Sequence, residues 1–266
     1  MRLAFSLVEL SIVLVILGLL TGGILTGQSL IRAAELRSVT TEFQRYQAAV
    51  QSFRDKYFSL PGDMRNATDF WGAAHATAAT CLTTVGTGTQ TCNGNGNGKI
   101  DDPAAATPAQ YGEAFTFWQH LANAGLIEGT YSGRNAGSVH QLNSIIGVNV
   151  PSGKLSNAGW GINNRSLAEA YFDSERYITD YGNMMVYGGG NTNSLPVNYI
   201  FTPEEAWNID SKIDDGKPAY GKVIARGWND KCGTSAAGAT SATNLNAVYR
   251  LSDTSILCSL SFRQLF

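Results

Sequence analysis

The sequence predicts an α+β chain in which one long N-terminal helix packs on a sheet inside a large C-terminal head. Three observations carry this. An apolar run from Phe5 to Leu25 passes into a stripe of apolar side chains at helical period that lasts to Tyr57. Beyond Pro61 the chain turns rich in Gly, Asn and Thr and holds two further helix signals. Three short apolar runs, at 183–187, 221–226 and 256–262, have the length and bounds of strands.

Composition narrows the function classes. The 266 residues carry a formal net charge of −2, which is no footprint for nucleic-acid binding or for a basic membrane-surface protein. At 44% hydrophobic residues the chain has enough apolar material to build a core. Charged residues make up only 15%, and between Leu3 and Ile31 the only ionisable side chain is Glu9.

Phe5 to Leu25 is 21 residues, long enough at ~1.5 Å per residue to cross a bilayer core of ~30 Å. A secretory signal peptide would bring a basic start, a shorter apolar core and a small-x-small cleavage site. Here Arg2 alone precedes the run, Glu9 interrupts it, and no A-x-A pattern closes it. A plain anchor explains the length but not the carboxylate, which is costly in hydrocarbon and marks function there. A cut between Ala4 and Phe5 would create an α-amine, cationic at neutral pH, one helical turn from Glu9. The amine and the carboxylate, on one helix or on neighbouring ones, would neutralise each other.

Phe5-Ser6-Leu7-Val8-Glu9-Leu10, followed by the apolar run, resembles the N-terminus of type IV pilins and type II secretion pseudopilins. That resemblance implies removal of a leader, residues 1–4, by a prepilin peptidase and methylation of the Phe5 amine. It implies assembly into a helical filament with copies of the chain and other pilin-like subunits, with Glu9 setting register. An inner-membrane assembly platform is the further partner. The unassembled subunit would sit in the inner membrane as a single pass with its N-terminus cytoplasmic. After assembly it would lie in a periplasmic or cell-surface filament. Ala4 stands where the family usually has Gly, and the late proline of many members is absent. The positive-inside rule leaves orientation open, since Arg2 stands against Arg32 and Arg37.

Within the first half of the helix, Gly18, Gly22, Gly23 and Gly27 form overlapping G-x-x-x-G spacings. They read either as ordinary glycine enrichment in a membrane helix or as places of close helix approach or local unwinding. Farther on, Leu36, Val39, Phe43, Tyr46, Val50, Phe53 and Tyr57 follow a 3-4-3-4-3-4 spacing with Arg37, Glu42, Arg45 and Arg54 between them. Coiled-coil pairing is one reading; packing of the stripe on a sheet of the same chain is preferred. The division expected is a helix over 5–57, with 5–27 in the membrane or filament core and 28–57 on the head, then a head over 58–266.

In the head, residues 111–127 read as a helix with Phe115, Trp118, Leu121 and Ala122 on one face. Thr202-Pro203-Glu204-Glu205 is a helix start with a capping box, and Gly216 is the expected stop. The Gly/Asn/Ser-rich stretch 128–165 gives no assignable element. The blocks LPGDM (60–64), NIDSKIDDG (208–216) and CSLSFR (258–263) are similar to recurring blocks of large bacterial pilin-like proteins.

Cys81, Cys92, Cys232 and Cys258 allow three pairings, and no C-x-x-C metal or redox motif occurs. A head outside the cytoplasm would keep disulfides, and the pairs expected are the local ones, Cys81 with Cys92 and Cys232 with Cys258. The second resembles the disulfide-bounded loop that pilins carry near the C-terminus.

Asn93, Asn95 and Asn97, then Lys99 and Asp101, occupy positions 1, 3, 5, 7 and 9 of an EF-hand-type calcium loop, with Gly98 at position 6. Asn in place of Asp, and Ala104 at position 12, leave few charges for a hard cation. Ca2+ is therefore possible but not required, and a disulfide-pinned glycine-rich turn is the alternative. Asp210, Asp214 and Asp215 form a second acidic group, either compensated by Lys212 and Lys217 or used for a cation or a subunit contact. His75, His120 and His140 show no metal spacing, no nucleophile elbow or phosphate loop occurs, and no enzyme is expected. His120 reads as a partly buried polar residue. A filament subunit is the favoured reading; a membrane-tethered periplasmic module that binds a glycan or protein through calcium is the second.

Overall fold

The computed structural model describes residues 7–77, 81, 84–101, 112–134, 143–165, 177, 179–192, 194–226, 231–234 and 246–263. Helix α1 runs unbroken from Leu7 to Tyr57, 51 residues or ~77 Å. Nothing in its sequence breaks it: proline waits until Pro61. It ends at Phe58, whose φ of 53° is left-handed and whose N–H returns to Arg54 O at 2.8 Å.

Short α2 (Ala67–Trp71) and α3 (Glu113–Asn123) follow, then β1 (Ala158–Arg165), β2 (Gly182–Gly189), α4 (Pro203–Ile213), β3 (Val223–Arg226) and β4 (Ser259–Phe262). The four strands form an antiparallel sheet in the order β1-β2-β4-β3. The chain is thus α+β, as its patterning predicts. All three strand candidates become strands. The fourth, β1, lies in the stretch that sequence left unassigned, and pairs residue for residue with β2 from Ala158 opposite Gly189 to Arg165 opposite Gly182.

Two helix ends differ from expectation. The helix predicted to reach residue 127 stops at Asn123, and Gly125 with φ of 71° turns the chain away. Helix α4 has the predicted start: Thr202 Oγ1 accepts from Glu205 N, and Glu205 returns the bond to the Thr202 N–H. It ends at Ile213, three residues before Gly216, because Asp214 leaves helical conformation.

The α1 stripe packs on the sheet. Val39, Phe43, Tyr46, Val50 and Phe53 are buried, while Leu36 and Tyr57 are partly buried at the margins. Phe43 stacks on Phe262 at 4.7 Å, and Tyr46 meets Trp160 and Trp118 edge-on at 5.5 and 5.1 Å. Burying such side chains is worth ~1.5–3 kcal/mol each, enough to hold the helix on the head without a coiled-coil partner. Glu42 is buried among them, and its Oε2 accepts from Trp160 Nε1 at 2.8 Å. Both expected disulfides are present, Cys81–Cys92 and Cys232–Cys258, with Cα–Cα distances of 5.8 and 5.1 Å. In the chain-entropy account each contributes about 3 kcal/mol.

Candidate assembly segment and its supporting loops

From Leu7 to Ile31 every Leu, Ile and Val of α1 is exposed, whereas burial in the head begins at Val39. This first half is long and apolar enough to cross a membrane. Its hydroxyls are satisfied within the helix. Ser11 donates to Val8 O, Thr21 to Leu17 O, Thr26 to Gly22 O and Ser29 to Thr26 O, all at 2.8–2.9 Å. A surface whose polar hydrogens are already bonded suits an apolar surrounding.

Glu9 lies in the first turn of α1, on the exposed part. Ala4 and Phe5, the expected processing and methylation positions, lie outside the described residues. A Cβ built on Gly18, Gly22, Gly23 or Gly27 meets nothing within 4 Å, so these positions are open, with the pairs Gly18/Gly22 and Gly23/Gly27 on different faces of the helix.

The root of this half is fastened to the head. The Arg32 guanidinium donates through Nε to Glu205 Oε1 at 2.6 Å and through Nη2 to Glu205 Oε2 at 2.8 Å. Nη2 also reaches Ile200 O at 3.0 Å, and Nη1 reaches Glu35. Glu205 therefore caps α4 and grips α1 with one carboxylate. Nothing local in the sequence links residues 173 positions apart.

The oxygen-rich loop 93–101 is held from outside itself. Asp63 accepts from Asn97 N at 3.0 Å and Gly98 N at 2.8 Å; Glu113 accepts from Asn95 N at 2.9 Å and Asp101 N at 3.0 Å. Asn93, the expected first ligand, instead accepts from Thr68 N at 2.8 Å. The side-chain amides of Asn95 and Asn97 converge on Asp101 Oδ2 at 2.6 and 3.0 Å. Lys99 enters by its backbone, donating to Asn97 Oδ1 at 2.8 Å. A Cβ at Gly94 would overlap Gly62 O and the Asp63 backbone, which accounts for the first glycine of the repeat.

The LPGDM block forms the other wall. Gly62, with φ of 85°, lies so close to α3 that a Cβ would stand 2.6 Å from Glu113 O. Its N–H donates to His120 Nδ1 at 2.9 Å. Nδ1 thus keeps its lone pair, and Nε2 carries the hydrogen that faces Thr91 Oγ1 at 3.0 Å; Thr91 passes its own to Gln119 at 2.7 Å. His120 is completely buried, not partly as expected, and acts as a neutral brace beside the Cys81–Cys92 loop.

Burial and the charges of Asp63 and Asp101 push the Glu113 carboxyl from 4.5 up to about 7, against the pull of two N–H donors. Burial drives His120 from 6.5 down to about 3. A raised acid makes the folded state the better proton binder, so Glu113 stability falls as pH rises from about 4.5 to 7. A depressed base does the reverse, so His120 stability falls as pH drops from 6.5 to about 3. These two slopes cancel between 4.5 and 6.5, but Asp210, which burial raises from 3.8 to about 8, adds a decline of its own, so denaturation midpoints should decline from about pH 4.5 to 8 and fall again in acid below about 3.8. His120→Asn should remove the acid-side fall and steepen the decline between 4.5 and 6.5; an unchanged profile would contradict this assignment.

Comparison with family models, curated proteins and solved structures finds no match for the chain. What fold and site define is a long apolar N-terminal helix, able to span a membrane, rooted in a disulfide-bonded α+β head.

Proposed function

We propose that this chain is a structural subunit of a type IV pilus-like or type II secretion pseudopilus filament. Prepilin peptidase cuts between Ala4 and Phe5, the Phe5 amine is methylated, and the subunit waits in the inner membrane with its head in the periplasm. The assembly platform then lifts it into a filament with copies of itself and other pilin-like subunits, Glu9 neutralising a neighbour's Phe5 amine. One observation carries this reading. A single unbroken helix gives its second half to the head and leaves the apolar side chains of its first half exposed. That half needs lipid before assembly and other helices after it, because its exposed aliphatic groups are each worth ~1.5–3 kcal/mol when covered. The two open glycine pairs, Gly18/Gly22 and Gly23/Gly27, support close approach of such helices on two faces.

The mature N-terminus tests the proposal. Mass spectrometry of the subunit in sheared, filament-containing material should show loss of Met1–Ala4 and one added methyl group on Phe5. An intact Met1 in a membrane-bound monomer would overturn it in favour of a tethered binding module.

A further inference from the structure

At the end of α4 one carboxylate oxygen each from Asp210, Asp214 and Asp215 lies within 4.8 Å of the others. Asp210 is completely buried. Its Oδ2 accepts from Tyr249 Oη at 2.9 Å, whereas its Oδ1 is buried with no hydrogen-bond partner among the described residues. A buried carboxylate oxygen without a donor is costly and calls for a cation or a proton. Asp214 is half-buried and Asp215 exposed, so the group opens to water on one side.

Among the described residues no side-chain cation pairs with the group. Lys212, Lys217 and Lys222 stand near in sequence, but none of them forms an ion pair with these carboxylates. The lysines contribute backbone instead: Lys217 N donates to Asp215 Oδ1 at 2.9 Å, and Lys222 N donates to Asp214 Oδ2. The group also stands at the negative pole of α4, where three acids oppose the helix dipole. Burial above all, and then the charges of Asp215 and Asp214, work against ionisation of Asp210, opposed by the Tyr249 hydroxyl and the Gly216 backbone.

We propose that Asp210, Asp214 and Asp215 hold a calcium ion. The donor set is all oxygen, mixes buried and open positions and leaves room for water, which suits calcium better than the strict octahedron of magnesium. Bound there, the ion ties the end of α4 to the turn over 217–222. Through Tyr249 it also reaches the C-terminal disulfide loop, since Tyr249 bridges Gly233 and Arg250 N bonds Cys232 O at 3.2 Å. The proposal is independent of the filament reading.

The test uses the full chain in detergent, stripped with chelator and titrated with calcium to millimolar levels while thermal unfolding is followed. The midpoint should rise, with half-saturation on the order of 10⁻⁴–10⁻³ M. Asp214→Asn and Asp215→Asn, in the more open part of the site, should each weaken the response about tenfold or more, while Asp101→Asn in the 93–101 loop should leave it intact. Terbium gives a second readout, because Trp207 Nε1 would stand 3.2 Å from a Cβ at Gly216 and can sensitise its emission. Trp207→Phe should dim that emission but keep the thermal shift. No shift in the parent chain, or a shift abolished by Asp101→Asn and kept by Asp214→Asn, would overturn the site.

Discussion

Replacing Glu9 with alanine should leave the chain in the membrane and lower filament yield by about a hundredfold or more. The two halves of this expectation have different physical sources. An acid within an apolar helix opposes insertion by ~2.5–3.5 kcal/mol near the bilayer centre, so its removal favours the membrane-bound subunit. Assembly, in the proposed mechanism, puts a Phe5 amine beside Glu9 in a nearly dry interface. Deleting one partner of a buried ion pair costs about 3–5 kcal/mol, because the other charge is left uncompensated. Glu9→Gln keeps the shape and should fail almost as badly. Immunoblots of the membrane and sheared fractions separate insertion from assembly, and a normal sheared fraction would remove Glu9 from the mechanism.

Trp160→Ala should come close to unfolding the head. The indole is fully buried where α1, β1, β2 and β4 meet, 4.6 Å from the Tyr187 ring and 5.3 Å from Phe262. Truncating a buried tryptophan costs about 3–5 kcal/mol. The same change strips Glu42 of the indole donor, and a lost hydrogen bond to a buried carboxylate adds about 1–3 kcal/mol. Together these approach the ~5–15 kcal/mol that stabilises an ordinary domain. Trp160→Phe isolates the hydrogen bond and should lose about 1–3 kcal/mol. Urea unfolding of the full chain in detergent measures both, and a loss below about 2 kcal/mol for alanine would contradict this account.

What could be read from sequence was what is local. The α1 stripe repeats every three or four residues, the α4 start is written in four consecutive residues, and the disulfides join neighbouring cysteines. β1 escaped because AGWGINNR holds two glycines and two asparagines, and its strand state rests on pairing with β2 and on burying Trp160 and Ile162. The burial of Glu42 is not legible between the stripe positions because its partner lies 118 residues away. The loop 93–101 matched a calcium template position by position. The template does not reveal that Asp63 and Glu113, from outside, take up its backbone N–H groups, or that Asn93 is drawn off to Thr68. Those seats are assigned by tertiary contact.

The Arg32–Glu205 clasp has a mechanical consequence. A force pulling the head along the axis of α1 enters the helix near its buried stripe, but a sideways force acts on a lever. Arg32 stands seven residues below Val39, so the clasp braces the head one to two helical turns beneath its hydrophobic seat. Shear therefore becomes tension in two short charge-assisted bonds, instead of bending of the helix between the seat and its exposed apolar half.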